Sequence, residues 1–160
     1  MIQPTFIHLP ETGSTNSFAI ELLTKERPAE GCVVVTSHQT RGKGTDTNTW
    51  ESEKDKNLTF SVILYPAFAA DQQFVLNKAI SLGIYNFLKT EIPQSPVSIK
   101  WPNDIYIGDK KVCGILIQNS IIGYRFDYVV AGIGLNVNQE VFISDAPNPV
   151  SLRMITQKDY

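Results

Sequence analysis

Nothing in this sequence is long, repeated or strongly charged. No apolar run reaches the length of a membrane span, and the N-terminus lacks the basic-then-apolar pattern of a signal peptide. No internal repeat, low-complexity tract or linker divides the 160 residues. Lysine and arginine nowhere cluster, and the net charge is −2 with a pI of about 5.6, which argues against a nucleic-acid surface. Cysteine is scarce. Cys32 and Cys113 lie far apart, each in an apolar run, and read as buried free thiols that fit a reducing cytoplasm. His8 and His38 have strand-like neighbours and no partner at metal spacing. No Ser-His-Asp set, metal cluster or carboxylate pair is apparent. What remains is an apolar content of 42% and a charged content of 19%, ordinary for one domain over 1–160 with a real core.

Periodicity outlines the elements. A strand is predicted over 5–9, then a helix capped by Ser14 or Thr15 and running to about 25, with Phe18, Ala19 and Leu22 on its buried side. A β-branched run over 32–37 reads as a buried strand, 40–56 as a long polar loop, and 57–65 as a further strand. Asp71 is placed as the cap of the longest helix, to about 90, with Leu76, Ile80, Ile84 and Phe87 as its apolar stripe. Strands are predicted over 97–100, 105–107, 112–117 and 124–132, with a tight hairpin at Gly108-Asp109. A last helix begins near Ser151 and is unfinished at Tyr160, leaving Leu152 and Ile155 exposed and favouring self-association as a homodimer. Hairpin-linked strands with two amphipathic helices predict an α+β fold, a mixed and mostly antiparallel sheet packed on helices.

The chemistry sits in short motifs. Lys100-Trp101-Pro102-Asn103-Asp104 brings a cation, an amide and a carboxylate together at a Pro-stiffened strand end. Ser14-Thr15-Asn16 and Gln39-Thr40-Arg41-Gly42-Lys43-Gly44 lie upstream, with Trp50 beyond them. Lys110-Lys111-Val112-Cys113-Gly114 and Gly132-Ile133-Gly134-Leu135-Asn136 lie downstream. Gly42-Lys43-Gly44 lacks the spacing of a Walker loop, and Gly132-x-Gly134 lacks the pattern of a dinucleotide fold. Each motif has a plain alternative: a helix cap, a loop anchor, a solvated hairpin end, a turn. Together they supply Lys43, Lys100 and Lys111, several amides and Asp104, with no evident nucleophile. Cations and amides of this kind suit a reaction between two anions, such as activation of a carboxylic acid at the α-phosphate of ATP.

In this order and spacing the motifs resemble the catalytic domain of biotin protein ligases. The resemblance implies the fold type shared by class II aminoacyl-tRNA synthetases and biotin synthetases. It implies ATP and Mg²⁺, biotin as substrate, and a biotin carboxyl carrier domain as partner, with no nucleic acid and no membrane. By motif match, Ser14, Thr15 and Gln39 hold the ureido head of biotin, with Asn16 and Gly42 in the same motifs. Gly114 and Gly132 allow close backbone approach. Lys111 meets the biotin carboxylate and the α-phosphate, and Asp104 lies near the reacting groups. Lys43 belongs to the loop that grips the adenylate. Lys100, Asn103 and Asn136 match positions near phosphates, metal and nucleotide, and Trp50 matches an aromatic over the adenine.

Two departures stand out. The family loop usually reads Gly-Arg-Gly with further arginines, whereas here Lys43 replaces the planar guanidinium, Arg41 stands where a small residue is common, and Asp46 adds negative charge. The chain also stops short of the family's C-terminal segment and carries no N-terminal helix-turn-helix, so a truncated catalytic domain without a DNA-binding domain is expected. Two other readings stay open. One is a lipoate ligase or acyl transferase of the same fold. The other is a non-catalytic domain that binds biotin or the carrier.

Overall fold

The computed structural model describes residues 4–144 and 146–160. The described residues form nine strands and three α-helices. They are β1 (Phe6–Leu9), α1 (Thr15–Lys25), β2 (Val33–Thr36), β3 (Gly42–Lys43), β4 (Thr49–Trp50), β5 (Leu58–Leu64), α2 (Phe74–Glu91), β6 (Val97–Lys100), β7 (Asp104–Ile107), β8 (Lys110–Ile122), β9 (Arg125–Leu135) and α3 (Leu152–Thr156). Seven strands form one sheet in the order β1-β2-β5-β9-β8-β7-β6. Only β1 and β2 run parallel; the other pairs are antiparallel. This is the mixed, mostly antiparallel α+β sheet expected from the sequence.

Strand alternation sorts side chains onto two faces. On one face, Leu135, Ile133 and Ala131 of β9 join Cys113 and Ile115 of β8 and Ile105 of β7 under Leu88 of α2. On the other, Val130 of β9 and Ile63 of β5 join Val34 and Cys32 under Ala19 of α1. Farther along β9, that second face changes character. Gly132 and Gly134 replace apolar side chains, and Ser61 and Thr59 stand opposite them on β5. The helix therefore buries only half of its face of the sheet, and its N-terminal residues border a floor of glycine and hydroxyl groups.

Ser14 caps α1, its Oγ accepting from the Ser17 N–H at 3.4 Å. Ala19 is fully buried, with Phe18 and Leu22 packed around it, as the periodicity predicts. Cys32 and Cys113 are free and buried.

Some expectations are corrected. The stretch 40–56 is not wholly loop, since Gly42 pairs with Trp50 and Lys43 with Thr49 in a small separate hairpin. Asp71 does not cap α2; it sits in a 3₁₀ turn, Ala70–Gln72, and the helix starts after Gln73 with no side-chain cap. The buried stripe of α2 ends on Leu88, fully buried, while Phe87 is 45% exposed. The last helix does finish. Ser151 caps it, Gln157 closes it in a left-handed conformation, and Leu152 is buried in the main core rather than exposed.

Candidate active site

The open part of that sheet face forms a cleft. Its walls come from the start of α1 (Ser14, Thr15, Asn16), the segment 39–50, the start of β7 and the glycine floor of β8 and β9. Residues far apart in the sequence meet there because β5, β9 and β8 lie side by side.

One end of the cleft is a polar network whose hydrogen bonds fix one another's direction. Asn16 Nδ2 donates to the Leu116 carbonyl at 3.1 Å, and a carbonyl can only accept, so the amide orientation is set. The same nitrogen donates to Gln118 Oε1 at 2.9 Å. Asn16 Oδ1 then accepts from the Ser61 hydroxyl at 2.6 Å. The Ser61 hydroxyl also lies 2.7 Å from the Thr15 hydroxyl, which lies 3.3 Å from Gln39 Oε1, so the hydroxyls link Asn16 to Gln39. Gln39 is oriented by a backbone donor: the Thr15 N–H reaches its Oε1 at 2.9 Å. Its Nε2 hydrogens are thereby turned away from Thr15, beside Gly42, where an ideal Cβ would approach Nε2 to 2.7 Å. The network uses both Asn16 amide hydrogens and leaves the Ser14 hydroxyl and the Gln39 amide as donors on the cleft wall.

Three glycines make this packing possible. A Cβ at Gly132 would lie 2.3 Å from Asn16 Oδ1, so Gly132 makes room for the Asn16 amide. A Cβ at Gly134 would lie 2.3 Å from Trp50 Cε2, and one at Gly114 2.9 Å from Trp50 Cζ3. The Trp50 indole thus lies flat on backbone, with its Nε1 buried and meeting no acceptor among the described residues.

The other end carries the charge. Lys111 Nζ stands 2.8 Å from Asp104 Oδ1 and 5.7 Å from the centre of the Trp50 ring. A bulge brings Lys111 there. Ile105 faces Cys113, but Tyr106 faces Lys111, so β8 carries one extra residue, Val112. Strict alternation back from Gly114 would turn Lys111 to the α2 side; the bulge returns it to the cleft. Asn103 closes this end, with Nδ2 donating to the Ile115 carbonyl at 2.6 Å and to Thr45 Oγ1 at 3.0 Å. The second bond ties the Gly44–Asn48 turn to the wall. Lys43 lines the cleft beside it.

The structure thus brings together Ser14, Thr15, Asn16, Gln39, Lys43, Trp50, Asn103, Asp104, Lys111, Gly114 and Gly132 on the cleft wall, with Gly42 packed behind Gln39. It does not bring Lys100 or Asn136 there. Lys100 is exposed on the edge strand, its Nζ 4.9 Å from the Tyr106 ring centre. Asn136 is buried and donates to the Val150 carbonyl at 3.1 Å, holding the segment before α3. Trp101 is 73% exposed and packs near Phe74. Sequence reasoning missed Ser61 and Gln118. The signal was present on β5, where Thr59 and Ser61 share a face with buried Ile63.

Among the described residues, no group of three or more His, Cys, Asp or Glu side chains is placed to hold a metal ion. Cys113 is fully buried, and burial pushes its thiol up, away from the reactive thiolate.

Comparison with known proteins agrees with this geometry. Residues 9–136 match the biotin/lipoate A/B protein ligase family. The chain is 35% identical over 127 residues to the bifunctional ligase/repressor BirA of Bacillus subtilis, covering 79% of this chain and 38% of that protein. It is 28% identical over 132 residues to the biotin–[acetyl-CoA-carboxylase] ligase of Mycobacterium tuberculosis, covering 81% and 48%. Among solved structures, the biotin protein ligase of Aquifex aeolicus in complex with biotin and ATP superposes with a TM-score of 0.80 at 34% identity, over 98% of this chain and 62% of that one. The Leishmania major enzyme in complex with biotinyl-5-AMP gives 0.77 at 25% identity, over 96% and 64%. The chain therefore spans only part of the length of these relatives. Sheet order, cleft and matched residues lead to one conclusion: this chain belongs to the biotin/lipoate A/B protein ligase family.

Proposed function

We propose that this chain is the catalytic part of an ATP-dependent biotin–protein ligase. In the first step a biotin carboxylate oxygen attacks the α-phosphorus of ATP, the bond to pyrophosphate breaks, and biotinyl-5′-adenylate forms. In the second, the amine of a carrier-domain lysine attacks the acyl carbon, loses a proton, and AMP leaves. The observation that carries this reading is the polarity of the cleft. Neutral donors, Ser14 and Gln39, stand at one end, and the Lys111 ammonium stands at the other.

Each group has a task in that reaction. Ser14 and the Gln39 amide donate to the ring carbonyl of biotin. Lys111 lies where a carboxylate and a phosphate must meet, and lowers their mutual repulsion in the transition state. Asp104 holds the Lys111 ammonium in place and is the carboxylate on hand for the incoming amine. Trp50 walls the site against water. One carboxylate beside a polyphosphate is a donor set that Mg²⁺ accepts, so Asp104 and the nucleotide's own oxygens would hold it. When bound, Mg²⁺ neutralises phosphate charge.

Biotin is favoured over lipoate by the same donors. A dithiolane ring offers the Gln39 amide no acceptor, and leaving buried donors unpaired costs about 1–3 kcal/mol. Thermal melts with biotin, lipoate and ATP test this. Biotin should raise the midpoint, ATP should raise it further with biotin present, and lipoate should do little. A larger shift with lipoate than with biotin would favour the lipoate reading.

A further inference from the structure

The Trp50 wall stands on a very small element. The β3–β4 hairpin has two residues in each strand. A hairpin of that size has no stability of its own, so its anchors decide where it sits. The entry is anchored by backbone bonds: the Thr40 and Arg41 N–H groups donate to the Thr12 and Gly13 carbonyls. The exit is anchored by one side chain. Glu51, the residue after Trp50, accepts from the Ile143 N–H at 3.0 Å, the Ser144 N–H at 2.8 Å and Gln139 Nε2 at 3.1 Å. Two successive backbone N–H groups on one carboxylate form a small anion nest.

Gln139 makes the anchor rigid. It is 1% exposed, and its Oε1 accepts from the Glu53 N–H at 3.0 Å while its Nε2 also donates to the Val141 carbonyl at 2.9 Å. Burial by itself would raise the Glu51 carboxyl, but hydrogen bonds from Ser144, Ile143 and Gln139 outweigh it and hold it below the usual range. The clasp is therefore made by the ionised carboxylate.

We propose that Glu51 is a positioning residue: by clasping the strap 139–144 it holds the Trp50 indole on the glycine floor, and so sets the width of the cleft. Glu51 is not among the residues lining the cleft of Ser14, Gln39 and Lys111; it lines a neighbouring cavity that shares Lys43, Gly44 and Trp50 with that cleft. It acts through Trp50. A wall that binds substrate and transition state alike affects affinity more than turnover.

The test uses the full chain with Trp101→Phe, which leaves Trp50 as its one tryptophan. In that background Glu51→Gln and Glu51→Ala are compared with Glu53→Gln, a neighbour whose side chain takes no part in the clasp. Acrylamide quenching of Trp50, with no ligand added, should rise about twofold in both Glu51 variants and stay unchanged in Glu53→Gln, since local opening exposes the indole. This arm does not depend on the biotin reading. The second arm, which rests on it, is biotin-dependent pyrophosphate release: the KM for biotin should rise about tenfold in Glu51→Gln while kcat stays within about twofold. Unchanged quenching in folded Glu51 variants, an equal rise in Glu53→Gln, or a loss confined to kcat would overturn the proposal. Altered quenching with no biotin activity even in the unsubstituted chain would support the clasp and count against the biotin reading alone.

Discussion

Gly132 and Asn16 share one space. The side chain that Gly132 lacks is replaced by the Asn16 amide, whose oxygen would lie 2.3 Å from a Cβ at that position. The amide is held there by Leu116, Gln118 and Ser61. This pair settles how the start of α1 meets the sheet, and hence where Ser14 and Thr15 point.

Gly132→Ala should therefore displace Asn16 and, with it, the wall proposed to hold biotin. Overpacking of this kind costs about 1–3 kcal/mol. The variant should melt lower and lose most of the biotin-dependent shift. Asn16→Ala removes the amide, so the double variant Asn16→Ala/Gly132→Ala should lose less stability than the sum of the two singles. Additive losses in thermal melts would show that the two positions do not compete for the same space.

Lys111 lines the cleft beside Asp104 and is the cation proposed to meet the reacting groups. Lys111→Ala should slow adenylate formation on the order of a hundredfold or more, with much less effect on ATP binding. Single-turnover adenylation is the measurement, and a near-normal rate would remove Lys111 from the proposed chemistry.

Lys43 lines the cleft and offers it one ammonium. Lys43→Arg should slow release of the adenylate, because a guanidinium grips two oxygens at once. A filter assay of adenylate retained over time would read it. An unchanged release rate would mean that the Gly42-Lys43-Gly44 segment does not hold the intermediate.

The two thiols give a check on the core. Cys113 and Cys32 are buried, and burial raises both thiols above their ordinary value. A raised native pKa stabilises the fold below the unfolded thiol's pKa and loses that contribution as pH rises beyond it. The native chain should resist a thiol reagent at mildly alkaline pH, and both cysteines should react after unfolding. Rapid labelling of Cys113 in the native state would place it outside the core described.

Much of this fold was legible in the sequence. The cap at Ser14, the burial of Ala19, the strand 97–100 and the hairpin at Gly108 follow from local rules, and the structure has each one. What was not legible depends on long-range pairing. The β3–β4 hairpin is polar and two residues deep, so no periodicity marks it. Lys111 reaches the cleft only through a bulge, which alternation cannot foresee. Asn16 lines the cleft as expected, but its bonds to Leu116, Gln118 and Ser61 come from elements far away in the sequence. Asn136, from a motif beside the glycines, turns instead to Val150. Glu51 and Gln139 carried no signal, since a lone Glu in a polar stretch reads as solvated surface.

The central claim is that this cleft joins the carboxylate of biotin to the α-phosphate of ATP. Pyrophosphate release by the chain, measured with ATP alone, with ATP and biotin, and with ATP and lipoate, tests it most directly. Release should depend on biotin, go unsupported by lipoate, and be lost in Lys111→Ala. Biotin that stabilises the fold yet releases no pyrophosphate above the level with ATP alone would contradict it and leave a domain that binds biotin without activating it.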